Sequence, residues 1–76
     1  MNKKRRKQLN NAIELLAKAL QIVEISLDEE QGCLDNMPEN LESSDQYESM
    51  ENNIDYLEEV IDSIEEAINK IEEGTL

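Results

Sequence analysis

The chain has no histidine, tryptophan or phenylalanine, and only one cysteine (Cys33), one proline (Pro38) and two glycines. Without histidine there is no Cys/His zinc site and no Glu-x-x-His di-iron motif. Nor is there an imidazole base to activate a Ser, Thr or Cys nucleophile. A lone cysteine allows no intrachain disulfide, and an unpaired thiol fits a reducing cytosol better than secretion. Nothing Gly-rich is present to cradle phosphate, and no loop has calcium-site spacing. No enzyme activity, cofactor or metal ion is therefore expected. Long apolar runs are missing too. The stretch after the basic start is broken by Asn10, Asn11, Glu14, Lys18 and Glu24, so it offers neither a signal-peptide core nor a membrane span. The expectation is a cytoplasmic protein with no membrane partner.

Positive charge is scarce as well, and unevenly spread. The net charge is −12, and five of the seven cations are Lys3, Lys4, Arg5, Arg6 and Lys7. Beyond residue 7 only Lys18 and Lys70 oppose nineteen carboxylates, a balance of two against nineteen, or −17. A surface of that kind repels phosphate backbones and attracts basic protein surfaces, so direct nucleic-acid binding is disfavoured.

What the chain does have is a repeat. Residues 53–59, 60–66 and 67–73 are three successive sevens, each ending Glu-Glu, and residues 46–52 are a looser fourth copy. Apolar residues at Tyr47, Met50, Ile54, Leu57, Ile61, Ile64, Ile68 and Ile71 alternate gaps of three and four. That is a heptad seam, which keeps one helix face against a partner. An acidic, disordered tract has no reason to hold Ile and Leu in phase. A second seam runs through Leu9, Ile13, Leu16, Leu20, Val23, Leu27 and Leu34, with Glu30 breaking it near the end. Gly32 weakens the last turns by roughly 1 kcal/mol relative to Ala.

These patterns predict an all-α fold in one domain, an antiparallel two-helix coiled-coil hairpin. Helix one spans about 5–34, the turn about 35–45 and helix two about 46–73. Pro38 disfavours helix at Met37 and can open a short helical turn through Leu41. Ser43 with Gln46 resembles a capping box, and Ser44 or Asp45 is the alternative N-cap. Gly74 is expected to stop helix two. Helices of about 30 residues, each roughly 40–45 Å long, joined by a short connection should fold back on one another. The turn then lays the basic run beside Glu65, Glu66, Glu72, Glu73 and the terminal carboxylate, which would offset its clash with the helix dipole. The pairs Glu14–Lys18 and Glu66–Lys70 have the favourable i, i+4 order.

Three surfaces are candidates for function. The apolar arc of helix one is wider than one partner can cover, because Ala12, Leu15, Ala19 and Ile22 lie on a flank of the seam. They are read as an oligomer face, so the hairpin is expected to assemble into a helical-bundle oligomer. Tyr56 lies on the equivalent flank of helix two, whereas Tyr47 falls on the seam. Helix two also carries a carboxylate arc that includes Glu58, Glu59, Asp62, Glu65 and Glu66. It is either a solvated face or an imitation of a phosphate backbone offered to a basic partner, with Ile22 and Ile25 as apolar contacts. Lastly, Lys3, Lys4, Arg5 and Arg6 are candidates for binding a small anion, with Tyr56 or Tyr47 stacking on a base. Arg forks would grip phosphate better than Lys.

The segment Asp35-Asn36-Met37-Pro38-Glu39-Asn40-Leu41, with Ser44, Tyr47-Glu48 and Met50-Glu51 after it, resembles a signature of small acidic proteins of phages and prophages of Gram-positive bacteria. The basic start and the Ile-Asp-x-Ile-Glu-Glu repeats are similar to the same group, so the likeness covers nearly the whole chain. The resemblance carries no established activity with it. It implies a phage setting, and so the host-cell cytoplasm, where very small acidic proteins often inhibit host defence stoichiometrically. The leading expectation is a non-enzymatic accessory factor that binds and inhibits a host protein with a basic surface. One alternative is an oligomeric sponge that sequesters a small anionic nucleotide signal, and another is a purely structural, oligomerising protein.

Overall fold

The computed structural model describes residues 2–75. It is an all-α hairpin of two helices, α1 (Lys3–Asp35) and α2 (Asp45–Thr75), joined by a connection with a single 3-10 turn at Glu39–Leu41. The rod measures 59 × 14 × 13 Å between Cα extents. The two helices pack along their length, as the matched seams require.

Each boundary has a local cause. Asn2 is the N-cap of α1, extended at φ −78° and ψ 166°. Its Oδ1 accepts from the Arg5 N–H at 2.8 Å, so the helix starts two residues earlier than the apolar pattern suggested. At the other end Asn36 closes α1. Its backbone N–H and its side-chain Nδ2 both donate to the Gly32 carbonyl, at 3.1 and 2.9 Å. Pro38 then opens the 3-10 turn, whose Leu41 N–H donates to the Pro38 carbonyl at 2.9 Å.

Ser44, rather than Ser43, caps α2. Its Oγ accepts from the Tyr47 N–H at 3.2 Å and donates to the Leu41 carbonyl at 2.6 Å. One hydroxyl thus ties the 3-10 turn to the first turn of α2. The first turn of α2 holds Asp45 and Glu48, which suit the positive end of its dipole. Gly74 does not stop the helix, because no glycine has a positive φ and α2 continues to Thr75.

The core between the helices is thin. Among the described residues only Ile54 is fully buried, at 6% exposure. The other seam residues, including Leu16, Leu20, Val23, Leu57, Ile61 and Ile64, are half-buried. Glu30 is half-buried as well.

Candidate functional site

Two helices touching along one seam leave each helix two flanks, and here the flanks differ in chemistry. At 100° per residue, Leu15 and Ile22 lie on the flank of α1 that precedes its seam in rotation. Tyr56, Val60, Ser63 and Ala67 occupy the corresponding flank of α2. Reversing one helix of an antiparallel pair brings these two flanks to the same side of the rod. On this side a shallow groove of about 400 Å³ is lined by the seam residue Leu16 of α1 and by Tyr56, Val60, Ser63, Ile64 and Ala67 of α2. This face is apolar yet open. Leu15, Ile22, Tyr56 and Val60 are 58%, 65%, 63% and 41% exposed. Ala12 and Ala19 are half-buried between this flank and the seam.

The opposite side and the outer edge of α2 are acidic. Glu58, Glu59, Asp62, Glu65 and Glu66 are all exposed. By the same geometry the arc extends onto α1, where exposed Glu24 and Asp28 sit on the side of Glu51 and Glu58. The repeat in α2 drew attention away from these two, because α1 has no matching acidic heptad. The register of a Leu–Ile seam against its partner could have revealed them. Lys70 pairs with Glu66 at 3.4 Å, in the expected i, i+4 order. Lys18 does not close on Glu14 in the same way.

The basic run differs from expectation. Lys3, Lys4, Arg5, Arg6 and Lys7 are exposed, and none pairs with Glu65, Glu66 or Glu73. These residues occupy successive positions of one helical turn and splay around α1, so only a fraction of them can face α2. The terminal carboxylate included in that expectation lies outside the described residues. Lys4 and Lys7 instead line a shallow surface groove of about 480 Å³ with Gln8, Asn10, Asn11 and Glu14, all on α1.

The structure does not bring the tyrosines to this basic run. Tyr56 stands near the middle of α2. Tyr47 is half-buried at the turn end, about 40 residues along the chain and a rod's length away. Its phenol titrates above the ordinary value, first because partial burial disfavours the charged form, and then because Glu51, Glu42 and Asp35 repel it. Ile25 is exposed on the outer side of α1, apart from the face that carries Ile22. The described residues hold no group of three or more metal-ligating side chains, and no helix is long and apolar enough to cross a membrane.

Comparison of the chain with protein-family models, with curated proteins and with solved structures gives no significant match.

Proposed function

We propose that this chain is a non-enzymatic interaction protein, an acidic rod that binds and inhibits a protein with a basic surface. The observation that carries the reading is the exposed arc of Glu58, Glu59, Asp62, Glu65 and Glu66, opposed on α2 by Lys70 alone. Carboxylates at regular spacing on a stiff support offer a basic groove an array of acceptors resembling a phosphate backbone. The likeness to small acidic phage proteins suggests a host defence protein as the target, in the host-cell cytoplasm. A second copy of the chain is the other partner we propose, through Ala12, Leu15, Ala19 and Ile22. The test uses the rod as bait in lysate of a Gram-positive host, beside a bait with Glu58, Asp62 and Glu65 changed to Lys. A specific partner should be held by the first and not the second, should elute as salt rises and should be displaced by DNA. Binding that ignores salt and survives the charge reversal overturns the mimicry.

A second reading is supported by the basic run, which does not pair with Glu65, Glu66 or Glu73. In an oligomer, Lys3, Lys4, Arg5 and Arg6 could gather around a small anionic nucleotide. The distance of Tyr47 and Tyr56 from the run removes base stacking within one chain. Calorimetry against a nucleotide panel decides it. Dissociation constants weaker than about 100 μM, roughly −5.5 kcal/mol, or binding unchanged by Arg5→Ala and Arg6→Ala, would end this reading.

A further inference from the structure

We propose that the open apolar face is covered by a second copy of the chain running head to tail, giving an antiparallel four-helix bundle. The proposal rests on the self-association reading above and adds its geometry.

Surface area is the first argument. The chain exposes 5945 Å², whereas a compact monomer of 8.8 kDa exposes about 4,800 Å². The excess, about 1,100 Å², exceeds the roughly 800 Å² that each partner contributes to a stable interface. With one residue fully buried among those described, a lone hairpin of this size lacks the core that small domains need.

Position is the second. The midpoint of Lys3–Asp35 is Ala19 and that of Asp45–Thr75 is Val60. Leu15 and Ile22 flank Ala19, and Tyr56 and Ser63 flank Val60, so the apolar patch is centred on the rod. A two-fold axis through that centre superposes two rods over their whole length. Ala19 then meets its own copy at the axis, where a methyl group permits close approach.

Charge is the third argument, and it selects the direction. Followed along the rod, this face is basic at the open end and acidic only towards the turn. On α1 the flank of Ala19 and Ile22 begins with Arg5, two heptads before Ala19, and its last charge is Glu29, one heptad after Ile22. On α2 the flank begins with the neutral Gln46, Ser49 and Asn53 and its one charge is Lys70, two heptads after Tyr56. More broadly, residues 24–51 at the turn end contain carboxylates and no cation, while six of the seven cations lie at the open end. Stacked in parallel, two copies would oppose acid to acid. Stacked head to tail, with the axis in the interface and perpendicular to the rods, the basic run of each copy lies against the acidic turn of the other. The carboxylate arcs then face outward on both sides.

Cys33, the single and exposed cysteine, is a built-in reporter. It stands 14 residues from Ala19, so head-to-tail copies place the two Cys33 about 40 Å apart along the rod. Parallel copies place them within about 20 Å, roughly two helix spacings. Spin labels at Cys33, read by pulsed dipolar spectroscopy, measure that distance, and sedimentation reports the assembly. A dimer with the long distance is the expected result. Ile22→Glu should weaken it at least tenfold, with helical circular dichroism retained because Ile22 is outside the inner seam. Changing Lys3, Lys4, Arg5 and Arg6 to Glu should weaken it similarly while favouring α1 at its N-terminus. A dimer with the short distance overturns the head-to-tail geometry and leaves self-association standing. A monomer at ~100 μM, or a closed higher oligomer, overturns the proposal, and the monomer removes the self-association reading with it.

Discussion

Ile54 is where the two seams exclude water most completely, and it is the residue whose truncation should cost most. In a well-packed core Ile→Ala costs about 2–5 kcal/mol. Here solvent lies one side chain away, so the cavity can partly fill and the lower end applies, about 2 kcal/mol by urea denaturation. The half-buried Ile61 should cost less when changed in the same way. Tyr47 gives a prediction in pH. Its folded-state value lies above the ordinary phenol value of about 10, because burial and then Glu51, Glu42 and Asp35 disfavour the phenolate. The folded state therefore binds the proton more tightly than the unfolded state. That contribution is complete below about pH 10 and is lost as pH rises through the folded value. Alkaline denaturation curves should show a decline that Tyr47→Phe removes. A decline unchanged in that variant would assign it to other groups. The burial of Tyr47 followed from its place on the seam and Glu51 from its i, i+4 position on the same helix, whereas the approach of Glu42 and Asp35 depends on how the turn folds.

Among the elements, the connection was the hardest part to read. Ser43, Ser44 and Asp45 are all competent caps, and the Ser43 to Gln46 spacing favoured the wrong one. The 3-10 turn opened by Pro38 decided the matter by placing the Leu41 carbonyl where Ser44 Oγ can donate to it while accepting from Tyr47. Ser44→Ala should accordingly lower stability by about 1 kcal/mol, and Ser43→Ala by much less, with thermal melts comparing the two. Equal losses would mean that the hydroxyl network is not what fixes the start of α2. Glycine misled in a related way. Gly74 permits a helix stop but does not impose one, and without a left-handed turn α2 continues through it. Gly32 lies inside α1, where a Cβ meets no atom within 4 Å. Gly32→Ala should therefore stabilise the hairpin by about 0.5–1 kcal/mol, visible as a raised melting temperature. The helices themselves were legible because a period of alternating threes and fours serves no purpose in a strand or a coil.

Across the whole molecule, the sequence carried the hairpin and the sidedness of each helix but not the pairing of its charges. Heptad position tells which flank a side chain occupies, so the meeting of Tyr56 with the Leu15 and Ile22 side followed from the antiparallel turn. Ion pairs require side chains to converge within 4 Å, and the basic run, splayed around one turn of α1, does not achieve this with Glu65, Glu66 or Glu73. The rod therefore keeps its charges largely unneutralised, at a net −12 over 59 Å. Repulsion among carboxylates spaced a turn or two apart acts within the Debye length of dilute buffer, about 30 Å at 0.01 M, and is largely screened at 1 M, where that length is about 3 Å. Folding of the isolated hairpin and association through its charges should thus respond to salt in opposite directions. Thermal melts of the Ile22→Glu variant, with the oligomer face disabled, should shift upward as NaCl rises from about 0.01 to 1 M. Over the same range, binding of a basic partner should weaken because its attraction is screened. A melting temperature that is flat or falls with salt would mean that the carboxylate arc costs the fold little, and that its spacing is set by solubility alone.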